Sequence, residues 1–138
     1  MNNSSFVSLA YEKMLNNEHV TKKHWSLLYE NWILYSYWKH YPLMFKIWDS
    51  IVVNKHGYSN TTSKHIRLCS GFASIKIDLM CSRQSYYYRA VEPNRDNVIS
   101  SLIAERESLL EKNTRAGSIN DIIKRNRLEE IQESLNVI

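Results

Sequence analysis

The sequence predicts an α+β domain: N-terminal, aromatic-rich helices packed on a three-stranded antiparallel β-meander, followed by two C-terminal helices. Three observations predict it. Residues 32–48, "WILYSYWKHYPLMFKIW", place seven aromatic rings in seventeen positions at spacings that fit a helix. Between residues 64 and 91 the apolar period drops to two, the repeat of a strand with one wet face. Beyond residue 94, Leu and Ile return at steps of three and four. The 138 residues, 43% of them hydrophobic, suffice for one domain with its own core. That single domain, 1–138, divides into a helical layer (1–54), a meander (64–91) and C-terminal helices (94–136).

Each element has a local reason. Phe6, Leu9, Ala10 and Met14 recur at helical spacing, with Ser4 or Ser5 placed to cap the start. Thr21 opens a longer helix that ends at Pro42, whose missing amide stops the ladder. Trp25, Leu28, Trp32 and Tyr35 form one stripe on it, and Leu27, Leu34, Trp38 and Tyr41 a second, which implies burial on more than one side. Met44, Ile47, Trp48 and Ile51 extend the helical pattern to about Val52, although the β-branched run at its end also fits extension. "NKHGYSNTTSK" reads as a loop because its Gly, Asn, Ser and Thr favour turns. "HIRLCSG", "FASIKIDLMC" and "YYYRAV" then read as three strands joined by short connections. "DNVISSLIAERESLLEKN" and "SINDIIKRNRLEEIQESLNVI" lie on either side of Gly117 and read as amphipathic helices, the second capped by Ser118.

Composition excludes several classes. Gly numbers 3 and Pro 2, so glycine-rich phosphate cradles are not expected. The most apolar stretch is broken by Glu30, Lys39, His40, Lys46 and Asp49, whereas a spanning helix needs about 20 largely uncharged residues. No membrane partner is therefore expected, and the rings are assigned to a water-soluble protein. The start "MNNSSFVSLAYEK" lacks the basic and apolar blocks of a secretory signal, so Cys69 and Cys81 are read as free thiols in a reducing cytoplasm. Charge is uneven. Residues 1–91 carry eleven Lys/Arg against five Asp/Glu, and residues 92–138 carry seven against nine. A basic body with a mildly acidic helical tail suits a polyanionic partner.

The stretch from "HIRLCSGFASIKIDLMC" through "YYYRAVEPNRDNVISSLIAERESLLEK" carries a Ser70-Gly71-Phe72 opening, alternating strands, an Asn-Asp junction and a helix with Glu/Arg pairs. Over residues 65–112 it resembles a bacterial and phage domain family of unknown function, found alone or appended to predicted restriction-type nucleases. That resemblance implies helices on an antiparallel sheet and a defence or mobile-element setting, and supplies no catalytic residues.

The candidate sites follow from the expected meander. Its wet face would present Lys64, His65, Arg67, Lys76, Arg83, Tyr87 and Arg89 as a nucleic-acid platform, with cations for phosphates and a ring for an unpaired base. Tyr35, Tyr37, Lys39, His40 and Tyr41 would form a protein interface, since seven rings exceed what one helix face can hide. His56, His65, Cys69 and Cys81 are zinc-compatible donors in no common finger spacing, so no metal or cofactor is expected. Asp78 beside Lys76 is all the sheet offers toward a nuclease, which needs clustered carboxylates. The expected function is a small, basic, non-enzymatic binding protein of phage or mobile-element type, regulating or inhibiting a nucleic-acid machine. The alternative is a structural oligomer assembled through the aromatic surface; a degenerate or active nuclease is third.

Overall fold

The computed structural model describes residues 1–37, 41–56, 60–79, 81–82, 89–90 and 92–138. The chain is α+β with helices at both ends, but the expected layers are overturned: a six-stranded mixed sheet replaces both the aromatic helices and the three-stranded meander. Helix α1 (Asn3–Leu15) is capped by Asn2, not by Ser4 or Ser5, through the Ser5 amide at 2.8 Å, and buries Phe6, Val7, Ala10 and Met14. Five antiparallel strands follow in order: β1 (Lys22–His24), β2 (Leu27–Glu30), β3 (Ile33–Ser36), β4 (Tyr41–Ile47) and β5 (Ser50–Asn54). Among the described residues, the stretch read as the longer aromatic helix is thus made of strands and the turns between them.

The turns show how this sequence manages it. Asn31 and Trp32 both take positive φ (50° and 66°), the left-handed pair that reverses β2 into β3 in two residues. Trp25 (53°) and Trp48 (55°) take positive φ as the first residue of the β1–β2 and β4–β5 turns. Bulky residues rarely adopt this conformation, and here the paired strands on both sides hold them in it. Between β3 and β4 the register shifts: Leu34 pairs with Met44 but Tyr35 pairs with Pro42, leaving Leu43 extra. A bulge is where a strand accepts proline, so Pro42 kinks a strand instead of ending a helix.

After β5 the chain crosses over through helix α2 (Asn60–Ser70) and returns as β6 (Ile75–Ile77), parallel to β5 with Val52 opposite Ile75. A parallel pair needs such a crossover. "HIRLCSG", expected as a strand, is therefore mostly the end of α2. Strands β7 (Cys81–Ser82) and β8 (Arg89–Ala90) form a separate antiparallel ladder. Helices α3 (Arg95–Glu111) and α4 (Ile119–Val137) complete the chain, capped by Asn94 and Ser118. Gly117, at φ +79°, makes the left-handed joint before α4.

The sheet is covered on both sides. On one, α1 and α2 bring Phe6, Val7, Met14 and Cys69 onto Leu27, Tyr29, Leu34, Tyr41 and Val53. On the other, α3 and α4 bring Val98, Leu102 and Ile131 onto Phe45, Val52, Ile75, Ile77 and Leu79. The register shift explains why Tyr41 and Phe45, four residues apart on β4, face opposite cores: Tyr41 the first, Phe45 and Ile47 the second. Among the described residues no helix is long and apolar enough to cross a membrane.

Candidate functional site

The described residues of the expected platform are divided among three elements. Lys64, His65 and Arg67 lie on α2, Lys76 on β6 at the edge of the large sheet, and Arg89 in β8 of the small one. Arg83 and Tyr87 lie outside the described residues. His65 turns inward and is 2% exposed. Its Nδ1 is 2.9 Å from the hydroxyl of Ser36, which is 3.4 Å from that of Thr62, so a small polar knot sits between β3 and α2. Burial holds the His65 pKa below its ordinary value, favouring the neutral ring. A helix of 3.6 residues per turn sends Lys64 and Arg67 to solvent when Thr62, His65 and Cys69 point in.

The residues expected to form a protein interface differ in burial. Tyr41 is buried, and its hydroxyl donates to the carbonyls of His56 and Asn54. Tyr35 and Tyr37 are half-buried, and Lys39 and His40 lie outside the described residues. The zinc-compatible donors are dispersed: Cys69 is buried, its thiol pushed up to about 12 by desolvation, and His65 belongs to the Ser36 knot. Among the described residues no three His, Cys, Asp or Glu gather as a metal site.

What converges instead is the end of the sheet where the parallel strands β5 and β6 finish, the place where crossover connections leave open ground for ligands. Asn54, fully buried, organises it. Its side-chain oxygen accepts from the amides of His56 (3.1 Å) and Leu79 (3.0 Å), and its Nδ2 donates to the Pro42 carbonyl (3.2 Å). One residue thereby ties β4, β5 and the chain beyond β6, with its polar capacity used inside the fold. From this platform His56 and Asp78 meet at 2.5 Å, both partly open to solvent. Lys55 reaches the Glu105 carboxylate at 3.1 Å. Arg127 grips the same carboxylate through Nη2 (2.7 Å) and Nε (2.8 Å), and adds Glu130 at 3.1 Å and the Lys76 carbonyl at 2.7 Å. The Arg127 hydrogen bonds, more than any other cause, hold the Glu105 carboxyl below its usual range, and Glu105 in turn raises the Arg127 pKa. Arg127 therefore stitches α4 to α3 and covers the β6 edge beside Lys76.

Two recesses flank this stitch: one of about 380 Å³ between β6 and α4, and a wider groove of about 880 Å³ between α3, α4 and Lys55. On the opposite layer, the solvent side of α2 exposes Asn60, Thr61, Lys64 and Arg67, and the helix contains no carboxylate. Among the described residues neither Lys64 nor Arg67 has an ion-pair partner. Sequence reasoning missed Asn54, Lys55 and the Glu105–Arg127 stitch, because they meet only once β5 and β6 are neighbours and α3 and α4 pack together beside them. Comparison with family models, curated proteins and solved structures returns no match.

Proposed function

We propose that this chain is a small non-enzymatic binding protein that holds nucleic acid, or a nucleoprotein complex, against the solvent side of α2. Its setting would be the cytoplasm, of a host cell where a phage or mobile element encodes it. The observation that carries the reading is the unbalanced face of α2, where Lys64 and Arg67 stand one turn apart beside Asn60 and Thr61 with no acid on the helix. Lysine and arginine neutralise phosphates and release counterions, and a helix with Asn, Thr and Arg side chains also matches the edges of bases in a major groove. The excess of positive charge in residues 1–91 acts in the same direction.

The test is fluorescence anisotropy of labelled mixed-sequence duplex and single strand across a salt series. Affinity should fall steeply with salt, and Lys64→Ala with Arg67→Ala should flatten the log–log slope by about 2. A face that is merely solvated gives a double variant that binds as the parent does. A second reading, assembly with further copies of this chain, is favoured by Ile119, Ile122 and Ile123, exposed in the first turns of α4. Light scattering separates it from the first: assembly without nucleic acid, abolished by Ile119→Asp with Ile122→Asp, would support it.

A further inference from the structure

The wide groove between α3 and α4 lies on the opposite side of the sheet from α2, so what it holds is a separate matter from the nucleic-acid reading. From its shape and charge we infer a binding site for a nucleoside monophosphate. Its wall is built in advance of any ligand. Buried Asp121 accepts hydrogen bonds from the Thr114 hydroxyl (2.9 Å) and the Gly117 amide (3.2 Å) and pairs with Arg125 (3.3 Å), which fixes the loop between the helices. A pre-formed wall spares a ligand the cost of ordering it.

The charge on that wall is unbalanced. Lys55, Lys112, Lys124 and Arg127 face the groove, against two carboxylates, Glu105 and Glu130. Lys55 and Arg127 share Glu105, and Arg127 also takes Glu130. Lys112 and Lys124 have no carboxylate partner among the described residues. The Lys124 ammonium donates to the Lys112 carbonyl at 2.8 Å, which sets the two residues side by side. Two ammonium groups in no ion pair among the described residues, Lys124 with only the longer-range attraction of Asp121, match the charge of about −2 on a phosphate monoester, and lysine serves phosphate well as a point charge. The rest of the lining suits a base and its sugar. Leu109 and Ile123 offer an apolar surface, and Asn113, Asn120 and Asn126 each present both a donor and an acceptor to a heteroaromatic edge. At about 880 Å³ the groove falls within the size range of small-molecule sites.

Isothermal titration of the full chain with AMP, GMP, CMP and UMP in turn tests the inference, with adenosine, guanosine, cytidine, uridine and inorganic phosphate as the truncated probes. At least one monophosphate should bind one to one with Kd below about 1 mM, and its nucleoside and phosphate alone should each bind at least about 10-fold more weakly. Lys112→Ala with Lys124→Gln should weaken the nucleotide at least about 10-fold, and Lys64→Ala with Arg67→Ala should not change it. Lys112→Ala alone alters an exposed side chain, so a weakened nucleotide there reports the site even where the double variant melts early. Failure of all four nucleotides to saturate by about 10 mM, phosphate binding as tightly as the nucleotide, or unchanged affinity in the lysine variants would each overturn the assignment.

Discussion

The two faces of the sheet are sealed by different means. Under α3 and α4 an apolar cluster of Phe45, Val52, Ile75, Ile77, Val98, Leu102 and Ile131 is bordered by the buried Ser134 and Asp121 of α4, and Arg127 joins Glu105 at the rim. Under α1 and α2 an equally dry cluster includes Cys69 and borders Ser36, Thr62 and His65, polar groups fully inside. An apolar interior draws its stability from area removed from water and is indifferent to pH. A buried polar knot contributes less net energy, and leaves a larger deficit when one member is removed. The difference teaches which face supplies most of the stability and which responds first to acid.

The largest expected effect breaks the apolar face. Leu102→Ala, at a fully buried position, should cost about 3 kcal/mol in urea denaturation, from lost transfer energy and the cavity left behind. Arg127→Ala comes next, at about 2 kcal/mol, because it leaves Glu105 partly buried with Lys55 as its remaining partner. Arg127→Lys should recover little, since a single ammonium cannot span both Glu105 oxygens. On the polar face, Ser36→Ala should cost about 1–2 kcal/mol by leaving the His65 ring without its hydroxyl. Should Ser36→Ala prove costlier than Leu102→Ala, the ranking of the two faces is reversed.

Acid distinguishes the faces in time as well as in size. Burial lowers the His65 pKa from its ordinary 6.5, so below that value the unfolded chain binds a proton that the folded chain refuses. Its contribution is complete above pH 6.5 and is lost as pH falls toward the lowered folded value. Glu105 is depressed from 4.5, chiefly by Arg127, so its contribution is complete above that value and is lost only as pH falls further. Stability followed by denaturant midpoint should therefore decline in two stages, the polar face first. His65→Gln should remove the first stage and Glu105→Gln the second. A flat midpoint from pH 7 to pH 5 would show that His65 is not held neutral inside.

The terminal helices were legible because α1, α3 and α4 each carry apolar residues at helical steps and a capping Asn or Ser near the start. The sheet was not, for a reason visible in β4 and β5. Strands covered on both sides are buried at nearly every position, so "YPLMF" and "IVVN" show no alternation, and a continuous apolar run also satisfies helical spacing. The β preference of Trp, Tyr and Ile was the opposing signal, and only the β-branched run near Val52 reads as fitting extension. Helix α2 was hidden for another reason: its fully buried residues are Thr62, His65 and Cys69, while Ile66 and Leu68, which pack against the same core, stand two apart and imitate a strand. Of the expected nucleic-acid residues, Lys64 and Arg67 do share a solvent side, but that of a helix. The sequence could not show that Asn54 would bind the ends of two parallel strands, since that contact depends on topology.

The smallest effects lie at the sheet's two ends, away from either core, where three tryptophans occupy left-handed turns. A residue of this kind costs roughly 1 kcal/mol in such a conformation, and Asn tolerates it far better. At Trp25 the ring is 86% exposed and its only ring neighbour described is His24, edge-on at 6.3 Å, so Trp25→Asn should stabilise by about 0.5–1 kcal/mol. At Trp48 the same relief is offset by losing the Arg95 guanidinium, which lies 5.7 Å from the ring, so Trp48→Asn should be close to neutral. Trp32 packs against His19 with ring centroids 4.0 Å apart and planes tilted by 55°, and is half-buried, so Trp32→Asn should destabilise despite Trp32 having the largest positive φ of the three, 66°. Thermal melts of the three variants read the order directly. Equal shifts for all three would mean that the rings contribute nothing beyond the strain of their turns.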